Sequence, residues 1–219
     1  IFNNQNSKFE ISDDGYFPAN KFFLVQEISD KSIRFRKDYD GAFIEYTYTL
    51  NEEDDNFLDL TVNSEGIKNP KLIWTIAAPE TEKSKYNQEQ YTGFYYQEDY
   101  SKDIDDTWDN DDFEINKFNT ELSWIAFKQQ FFSTIIEPKE NNFNSNTKLK
   151  VINNENDEYI KTLSLETELK GGENKYLIYF GENDYKKLKS YDKSFEEIIP
   201  LGWWIFGWVN RVVVINIFD

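Results

Sequence analysis

The sequence contains no cysteine, no histidine and no methionine. Without cysteine the chain has neither a disulfide framework nor thiol chemistry, which leaves its compartment open. Without histidine it lacks the commonest general base and the commonest metal ligand. The missing methionine, at position 1 as elsewhere, predicts a piece of a longer protein. No signal peptide is visible at the amino end, and no apolar run is long enough for a complete membrane span.

Basic residues are also scarce, since 24 lysines and arginines stand against 41 acidic residues and give a net charge of -17. This balance argues against a nucleic-acid partner, because a phosphate backbone needs cations to replace its counterions. It also disfavours adhesion to anionic lipid headgroups, and by itself it mostly provides solubility. The abundant side chains are aromatic, with 19 Phe, 14 Tyr and 6 Trp, which is enough for a sizeable core.

Most of the chain has the alternating pattern of β-strands. Apolar residues two apart share one face in several segments: Ile44, Tyr46, Tyr48 and Leu50; Leu58, Leu60 and Val62; Leu72, Trp74 and Ile76; Leu163, Leu165 and Leu169. The segments 147–152 and 175–180 are also strand-like, and Gly171 and Gly172 between two strands predict a hairpin turn. Many short strands of this kind predict an antiparallel sandwich or barrel.

The segment "LSWIAFKQQFFSTIIEP" is compatible with two structures. Helical spacing relates Trp124, Phe127, Phe131 and Ile135, yet the run is rich in β-branched and aromatic residues and ends at Pro138. We predict strand. Four aromatic residues are interpreted as core rather than as a ligand platform: Trp74, Trp124, Phe131 and Phe132.

Two short helices are predicted after the strands, interrupted near Pro200. Asn183 and Asp184 are candidate helix starts, followed by an apolar series at helical spacing, Tyr185, Leu188 and Tyr191. Ser194 and Glu197 have the spacing of a capping box.

The acidic run 97–114 contains nine acids and one lysine, which is compatible with a calcium site or with a solvated loop. The run has no glycine, which the EF-hand loop requires, and we predict a loop. "DYDG" at 38–41 also resembles a fragment of a calcium loop, but it runs directly into an alternating strand, so we predict a turn. Paired carboxylates could hydrolyse glycosides, but nothing selects a pair among 41 acids. We therefore predict no catalytic residue, no metal and no cofactor.

The segment "LGWWIFGWVNRVVVINIFD" at 201–219 contrasts with the acidic remainder, because it carries only Arg211 and Asp219 as charges. A charge-free stretch of 12 residues runs from Ile198 to Val209. A core helix would have to be buried on every side. Clustered tryptophan beside an arginine instead suits the membrane–water interface, and we predict that this segment meets a bilayer.

Three blocks in this order resemble the large periplasmic domain of the YidC family of bacterial membrane protein insertases, the Bacteroidetes type above all. The blocks are "WIAFKQQFF" (124–132), "YLIYFGENDYKKLKSYD" (176–192) and "PLGWWIFGWVNRVVVINIF" (200–218). The resemblance implies a mainly β fold, an antiparallel two-sheet β-supersandwich similar to galactose-mutarotase-like domains, with short C-terminal helices. It also implies a division into a periplasmic sandwich at 1–181, packing helices at 182–199 and a membrane-interface segment at 200–219, which leads into a transmembrane span.

Residues carried over by the resemblance fall in two groups. The structural motif residues are Trp124, Phe127, Phe131, Phe132, Gly181, Leu188, Tyr191 and Gly202. The membrane-interface residues are Trp203, Trp204, Phe206, Trp208 and Arg211. Family members have proline after the glycine at 181, whereas this chain has Glu182, so the resemblance does not fix the helix start.

The function that the resemblance implies is non-catalytic: a periplasmic domain, at the bacterial inner membrane, that assists insertion and folding of membrane proteins. The implied partners are accessory subunits of the Sec translocon, nascent inner-membrane proteins, and the bilayer through the C-terminal segment, with no nucleic acid. A carbohydrate-binding β-sandwich module is the alternative, suggested by the sandwich and its aromatic residues.

Overall fold

The structure is a computed structural model that describes residues 7–13, 23–39, 41–81, 83–99, 103–107, 112–154 and 159–200. The chain divides into two compact units, Ile1–Glu182 and Asn183–Asp219. Fourteen strands and one helix are described in the first unit; one helix and one 3₁₀ turn are described in the second.

The strands of the first unit follow one another along the chain with one short helix among them. In order they are β1 (Lys8–Asp13), β2 (Leu24–Ile28), β3 (Ser32–Tyr39), β4 (Ala42–Leu50), β5 (Phe57–Glu65), β6 (Pro70–Pro79), helix α1 (Lys85–Gln90), β7 (Gly93–Glu98), β8 (Ile104–Asp106), β9 (Phe113–Ile115), β10 (Leu122–Lys128), β11 (Phe132–Pro138), β12 (Lys148–Asn153), β13 (Tyr159–Glu168) and β14 (Gly172–Glu182).

These strands form two antiparallel sheets. The nine-stranded sheet has the order β2-β3-β4-β5-β14-β11-β10-β7-β8, and the five-stranded sheet has the order β1-β6-β13-β12-β9. The prediction of a mainly β, antiparallel two-sheet fold is confirmed, and the supersandwich description is compatible with it.

The hydrophobic core lies between the two sheets and is built from the alternating residues of each. Leu60 and Val62 of β5 belong to the same buried cluster as Leu163 and Leu165 of β13. Trp74 of the five-stranded sheet lies 5.1 Å, centroid to centroid, from the ring of Phe127 in the nine-stranded sheet. One face of each strand therefore supplies the core, as period-2 patterning requires.

The predicted hairpin at Gly171 and Gly172 is wrong. β13 pairs with β6 and β12, whereas β14 pairs with β5 and β11, so the two strands lie in different sheets. Gly172 adopts a φ of 93°, a left-handed conformation that glycine tolerates without steric cost. The two glycines therefore carry the chain from one sheet to the other.

The ambiguous segment 122–138 forms the two strands β10 and β11, which confirms the prediction of strand. They are joined by a tight turn in which the backbone N–H of Gln129 donates to the carbonyl of Phe132 at 2.9 Å. Trp124 and Phe127 lie on opposite faces of β10 and both are buried. A strand buried on both faces has a continuous apolar run rather than an alternating one, which is why its sequence also matched a helix.

The turn predicted at 38–41 is confirmed by the hairpin of β3 and β4. Tyr39 pairs with Ala42, and Gly41 adopts a φ of 81°. This is the positive φ that a tight hairpin turn requires and that glycine supplies.

The second unit contains the two predicted helical segments, α2 (Tyr185–Ser190) and a 3₁₀ turn (Phe195–Ile198). Asp184 is the N-cap of α2, where its carboxylate accepts from the backbone N–H of Lys187 at 2.6 Å. The predicted capping box at Ser194 is wrong, because Ser194 adopts a φ of 60° and its side chain makes no capping hydrogen bond. In the part of the chain that the structure describes, no helix has the length and apolar character to span a membrane.

Candidate functional site

The predicted membrane-interface residues lie outside the described residues. This applies to Trp203, Trp204, Phe206, Trp208 and Arg211, and also to the motif residue Gly202. Their role at a bilayer stays a prediction from the sequence.

The first motif block divides into a buried strand and an exposed turn. The ring of Phe127 lies 4.9 Å from that of Phe94 and 5.1 Å from that of Trp74, inside the core. Phe131 and Phe132 are 48% and 61% exposed, so the prediction that they belong to the core is wrong. The reason is their position at the turn between β10 and β11, beyond the last buried residues of the two strands.

The second motif block begins on β14, whose last residues are tied to the turn before β5. The backbone N–H of Phe180 donates to the carbonyl of Asn56 at 2.8 Å, and the Asn56 side-chain amide donates to the carbonyl of Phe180 at 2.9 Å. The hydroxyl of the buried Tyr179 donates to the carbonyl of Glu182 at 2.9 Å. Three hydrogen bonds therefore hold the end of β14 in place.

Gly181 occupies a position where no side chain fits. A Cβ atom there would overlap the Tyr179 hydroxyl and would lie 2.8 Å from the Asn56 amide nitrogen. Real Cβ contacts are not this short, so either the phenol or the strand would have to move. Close packing explains the glycine at this position, and its backbone needs no special φ.

Strand pairing brings the two motif blocks together although residues 133–175 separate them in the sequence. β11 and β14 are antiparallel neighbours in which Phe132 pairs with Glu182, Ser133 with Gly181 and Thr134 with Phe180. The pairing creates an open depression of about 460 Å³. Its lining is Asn56, Phe132, Ser133, Thr134, Phe180, Gly181 and Glu182.

We call this lining, together with Phe131, the aromatic corner. Phe180 is 45% exposed there, although its alternation with Tyr176 and Ile178 would place it in the core. The lining offers aromatic faces, hydroxyl and amide groups and one carboxylate, Glu182. Such groups provide contact surface and hydrogen bonds rather than a nucleophile paired with a base.

The motif residues Leu188 and Tyr191 lie in the second unit. Leu188 is buried on α2, and the ring of Tyr191 contacts that of Phe195 edge-to-face with centroids 6.4 Å apart. Glu182, at the position where the resemblance implies proline, is the last residue of β14 and pairs with Phe132. The helix start that the resemblance left open is therefore Tyr185, capped by Asp184.

Two buried lysines were missed by sequence analysis. Lys128 of β10 donates to the carbonyls of Tyr91 and Gln129 at 3.2 and 3.4 Å, and Lys161 of β13 donates to the carbonyl of Thr92 at 3.1 Å. The two ammonium groups thus bind carbonyls just beyond the C-terminus of α1, where cations are favoured. Burial lowers the pKa of Lys128 to about 8, while the charge of Asp106 opposes this shift.

The prediction that the acidic run 97–114 is a loop is wrong for much of its described part. The run begins in the last residues of β7 and ends in β9, and residues 104–106 form the short edge strand β8, which pairs with β7. Among the residues described there and elsewhere, acidic side chains do not gather in threes as a metal site would require.

The chain matches the family model described as the YidC periplasmic domain over residues 17–214. Its relatives include proteins named membrane protein insertase YidC. It is 29% identical to that of Parabacteroides distasonis over 199 residues, which are 82% of this chain and 31% of the relative. It is 28% identical over 240 residues to that of Azobacteroides pseudotrichonymphae, and 29% over 241 residues to that of Bacteroides fragilis.

These last two alignments include 100% of this chain and 38% and 37% of the relatives. The chain therefore spans about a third of the length of the curated relatives it matches.

Proposed function

Because this chain belongs to the YidC periplasmic-domain family, we propose that it works as the extracytoplasmic domain of a membrane protein insertase, at the bacterial inner membrane and facing the periplasm. The match over residues 17–214 is the observation that carries the proposal. The fold supports it, since one of its two antiparallel sheets presents an open aromatic corner.

The proposed work of the domain is contact rather than catalysis. Its partners would be accessory subunits of the Sec translocon and nascent inner-membrane proteins. The aromatic corner supports this proposal because exposed aromatic side chains are enriched at contact surfaces between proteins. The carbohydrate-binding alternative is not favoured by the family match.

A deletion in the intact insertase tests the proposal. In a Bacteroidetes host, the region that corresponds to residues 17–200 is replaced by a flexible linker while the membrane spans are kept. We expect lower insertion of inner-membrane proteins, measured by protease protection of newly made proteins, at equal insertase levels. As a control, the unaltered region is restored on a plasmid. Full insertion without the region would overturn the proposal.

Partner contact is tested separately with photo-crosslinkers placed in the full-length insertase. A crosslinker at Phe131 reports on the aromatic corner, and one at the exposed Tyr86 of α1 serves as the control position. We expect Sec subunits or nascent chains to crosslink at 131 and not at 86. Equal yields at the two positions would contradict the proposal of a contact surface at the corner.

We also propose that residues 200–219 lie at the membrane interface, with 1–181 and 182–199 as the sandwich and its packing helices. Clustered Trp203, Trp204 and Trp208 support this by their amphipathic character. In liposome flotation, the 219-residue chain should float and a chain ending at residue 199 should not. Equal flotation of the two would refute the membrane role of the segment.

A further inference from the structure

An apolar surface extends well beyond the aromatic corner, along one margin of the nine-stranded sheet. Its five members are between 45% and 71% exposed, and they belong to four different strands: Val25 and Ile28 of β2, Leu50 of β4, Phe180 of β14 and Phe132 of β11. We call these five residues the apolar margin.

All five side chains lie on the core-facing side of the sheet. Directly paired residues of antiparallel strands share a face. Ile28 pairs with Ile33, which pairs with Tyr48 and then with the buried Leu60.

The other members connect to the core in the same way. Leu50 pairs with Leu58, which pairs with the buried Ile178. Phe180 pairs with Thr134, which pairs with the buried Phe127. The margin is therefore a continuation of the core-facing surface into solvent. The members span six neighbouring strands, from β2 to β11, which is roughly 25 Å across the sheet, and each member is offset from the next by two residues along the strands.

Acidic side chains border the margin. The turn between β4 and β5, "NEEDDN" at 51–56, follows Leu50 directly, and Glu52, Glu53 and Asp55 are exposed in it. Glu182 stands beside Phe132 in the sheet. The charge of Glu52 is partly compensated, because the Nζ atom of Lys31 lies 2.7 Å from its Oε1 atom in an ion pair.

We propose that the apolar margin binds an apolar segment of another polypeptide that carries lysine or arginine next to its apolar residues. The exposed aliphatic and aromatic side chains would cover the apolar part of the segment. The acidic turn and Glu182 would attract its cations, which adds specificity and speed of association. The inference rests on the proposed function in that it names the chemistry of the segment the insertase domain contacts.

Charge selects this occupant over two others. Anionic lipid headgroups would meet the same carboxylates and be repelled. A second copy of this chain would bring another net charge of -17, which opposes association. A cationic apolar segment meets neither obstacle.

The test measures binding of a synthetic peptide to the 219-residue chain by fluorescence anisotropy. The probe is a labelled peptide of alternating leucine and serine with two lysines at each end, and the counter-probe has glutamates in place of the lysines. We expect the lysine peptide to bind at least tenfold more tightly than the glutamate peptide, with a preference that shrinks as salt is added. No binding of the lysine peptide, or equal binding of both, overturns the proposal.

Variants locate the binding surface. Phe132→Ser combined with Phe180→Ser should weaken binding at least tenfold. Leu24→Ser is the matched control, because Leu24 is 65% exposed on the same sheet but pairs with Arg36 on the opposite face. If the double variant melts at a lower temperature, Ile28→Ser combined with Leu50→Ser replaces it. Equal weakening by the margin and control variants overturns the assignment.

Charge variants test the acidic border in the same assay. Glu53→Gln, Asp55→Asn and Glu182→Gln together should remove most of the preference for the lysine peptide. Glu65→Gln, Glu168→Gln and Glu173→Gln remove the same total charge from other exposed positions and should leave most of the preference intact. Equal loss in both sets would mean that net charge alone attracts the peptide, which overturns the proposed border.

Two further measurements address the rival occupants. If the chain floats with anionic vesicles and the margin variants abolish flotation, the surface binds lipid. If the chain forms a dimer in sedimentation velocity and the margin variants abolish the dimer, the surface binds a second copy. Either result would overturn the proposal. The two proposals can fail separately, because the deletion assay on the intact insertase tests the proposed function whether or not the 219-residue chain binds the peptide.

Discussion

At the scale of single residues, Lys128 shows how burial makes a charge costly. The residue is 2% exposed, and its ammonium group donates to two backbone carbonyls. The rings of Tyr91 and Tyr95 lie 5.4 and 5.7 Å from it, and Asp106 supplies the opposing charge. Desolvation outweighs these contacts, because the pKa of Lys128 is lowered from 10.5 to about 8.

This shift predicts that stability rises with pH in a defined window. Between about pH 8 and 10.5 the unfolded chain binds a proton at Lys128 that the folded chain does not, so raising the pH favours folding. We expect a gain of about 2 kcal/mol in the free energy of unfolding between pH 8 and 10. Above pH 10 the trend is opposed, because burial raises the pKa of Tyr96 to about 12 and the folded state disfavours its phenolate.

The measurement is urea unfolding at pH 7, 8, 9 and 10. In Lys128→Met the gain should disappear, whereas the exposed control Lys170→Met should keep it. A gain of the same size in Lys128→Met would assign the pH dependence to other groups.

Gly181 gives a second prediction at this scale. Gly181→Ala should lower the free energy of unfolding by about 1 to 3 kcal/mol, because the new methyl group overlaps the side chains of Tyr179 and Asn56. Gly171→Ala is the control, since a Cβ atom there meets nothing within 4 Å. Urea unfolding of the two variants should separate them clearly, and equal effects would mean that the packing around Gly181 adapts.

At the scale of elements, the β10–β11 hairpin contrasts two phenylalanines that the sequence does not distinguish. Phe127→Ala should cost about 3 to 5 kcal/mol, because it removes a ring buried between Phe94 and Trp74. Phe132→Ala should cost under about 1 kcal/mol, since its ring is largely in solvent. Thermal and urea unfolding of both variants check this contrast. A large loss in Phe132→Ala would show that the turn end of the hairpin is packed.

Helix α2 provides another prediction through its cap. Asp184→Ala removes the acceptor for the backbone N–H of Lys187 and should destabilise α2 by about 1 kcal/mol. Ser194→Ala should have little effect, because that side chain makes no capping hydrogen bond. Hydrogen exchange of the amides in 188–191 reports on α2 directly. Unchanged exchange in Asp184→Ala would contradict the role of this cap.

The strands could be predicted from the sequence because alternation is local. Leu60 and Val62 on β5, or Leu72 and Trp74 on β6, follow the rule that one face of a strand meets the core. The sheet to which each strand belongs could not be predicted from the sequence. A Gly-Gly pair such as Gly171 and Gly172 is equally compatible with a hairpin turn and with a connection between two sheets. The aromatic corner was hidden for a similar reason: Phe180 continues the core pattern, and only the end of the sheet exposes it.

At the scale of the whole molecule, we expect the excess of acidic residues to lower stability through self-repulsion. Some basic residues form ion pairs, such as Lys31 with Glu52 and Arg36 with Asp38. The 41 acidic residues nevertheless exceed the 24 basic residues by 17, which gives the net charge of -17. Self-repulsion should therefore be relieved by salt. We expect the melting temperature to rise by a few degrees between 10 and 150 mM NaCl. Calorimetry checks this, and the rise should shrink when Glu65, Glu168 and Glu173 are changed to glutamine together. A falling melting temperature would mean that the ion pairs dominate.

The order of strands in the nine-stranded sheet determines when the domain can finish folding. β5 pairs with β4, which precedes it in the chain, and with β14, which is synthesised much later. One edge of β5 therefore stays unpaired until residues 172–182 have been synthesised. β6 waits in the same way for β13. Neither sheet can complete its pairing before the C-terminal strands have been synthesised, and strand pairings between segments so far apart in the sequence form slowly. During synthesis the growing chain therefore carries two unpaired edges that need shielding from neighbouring chains.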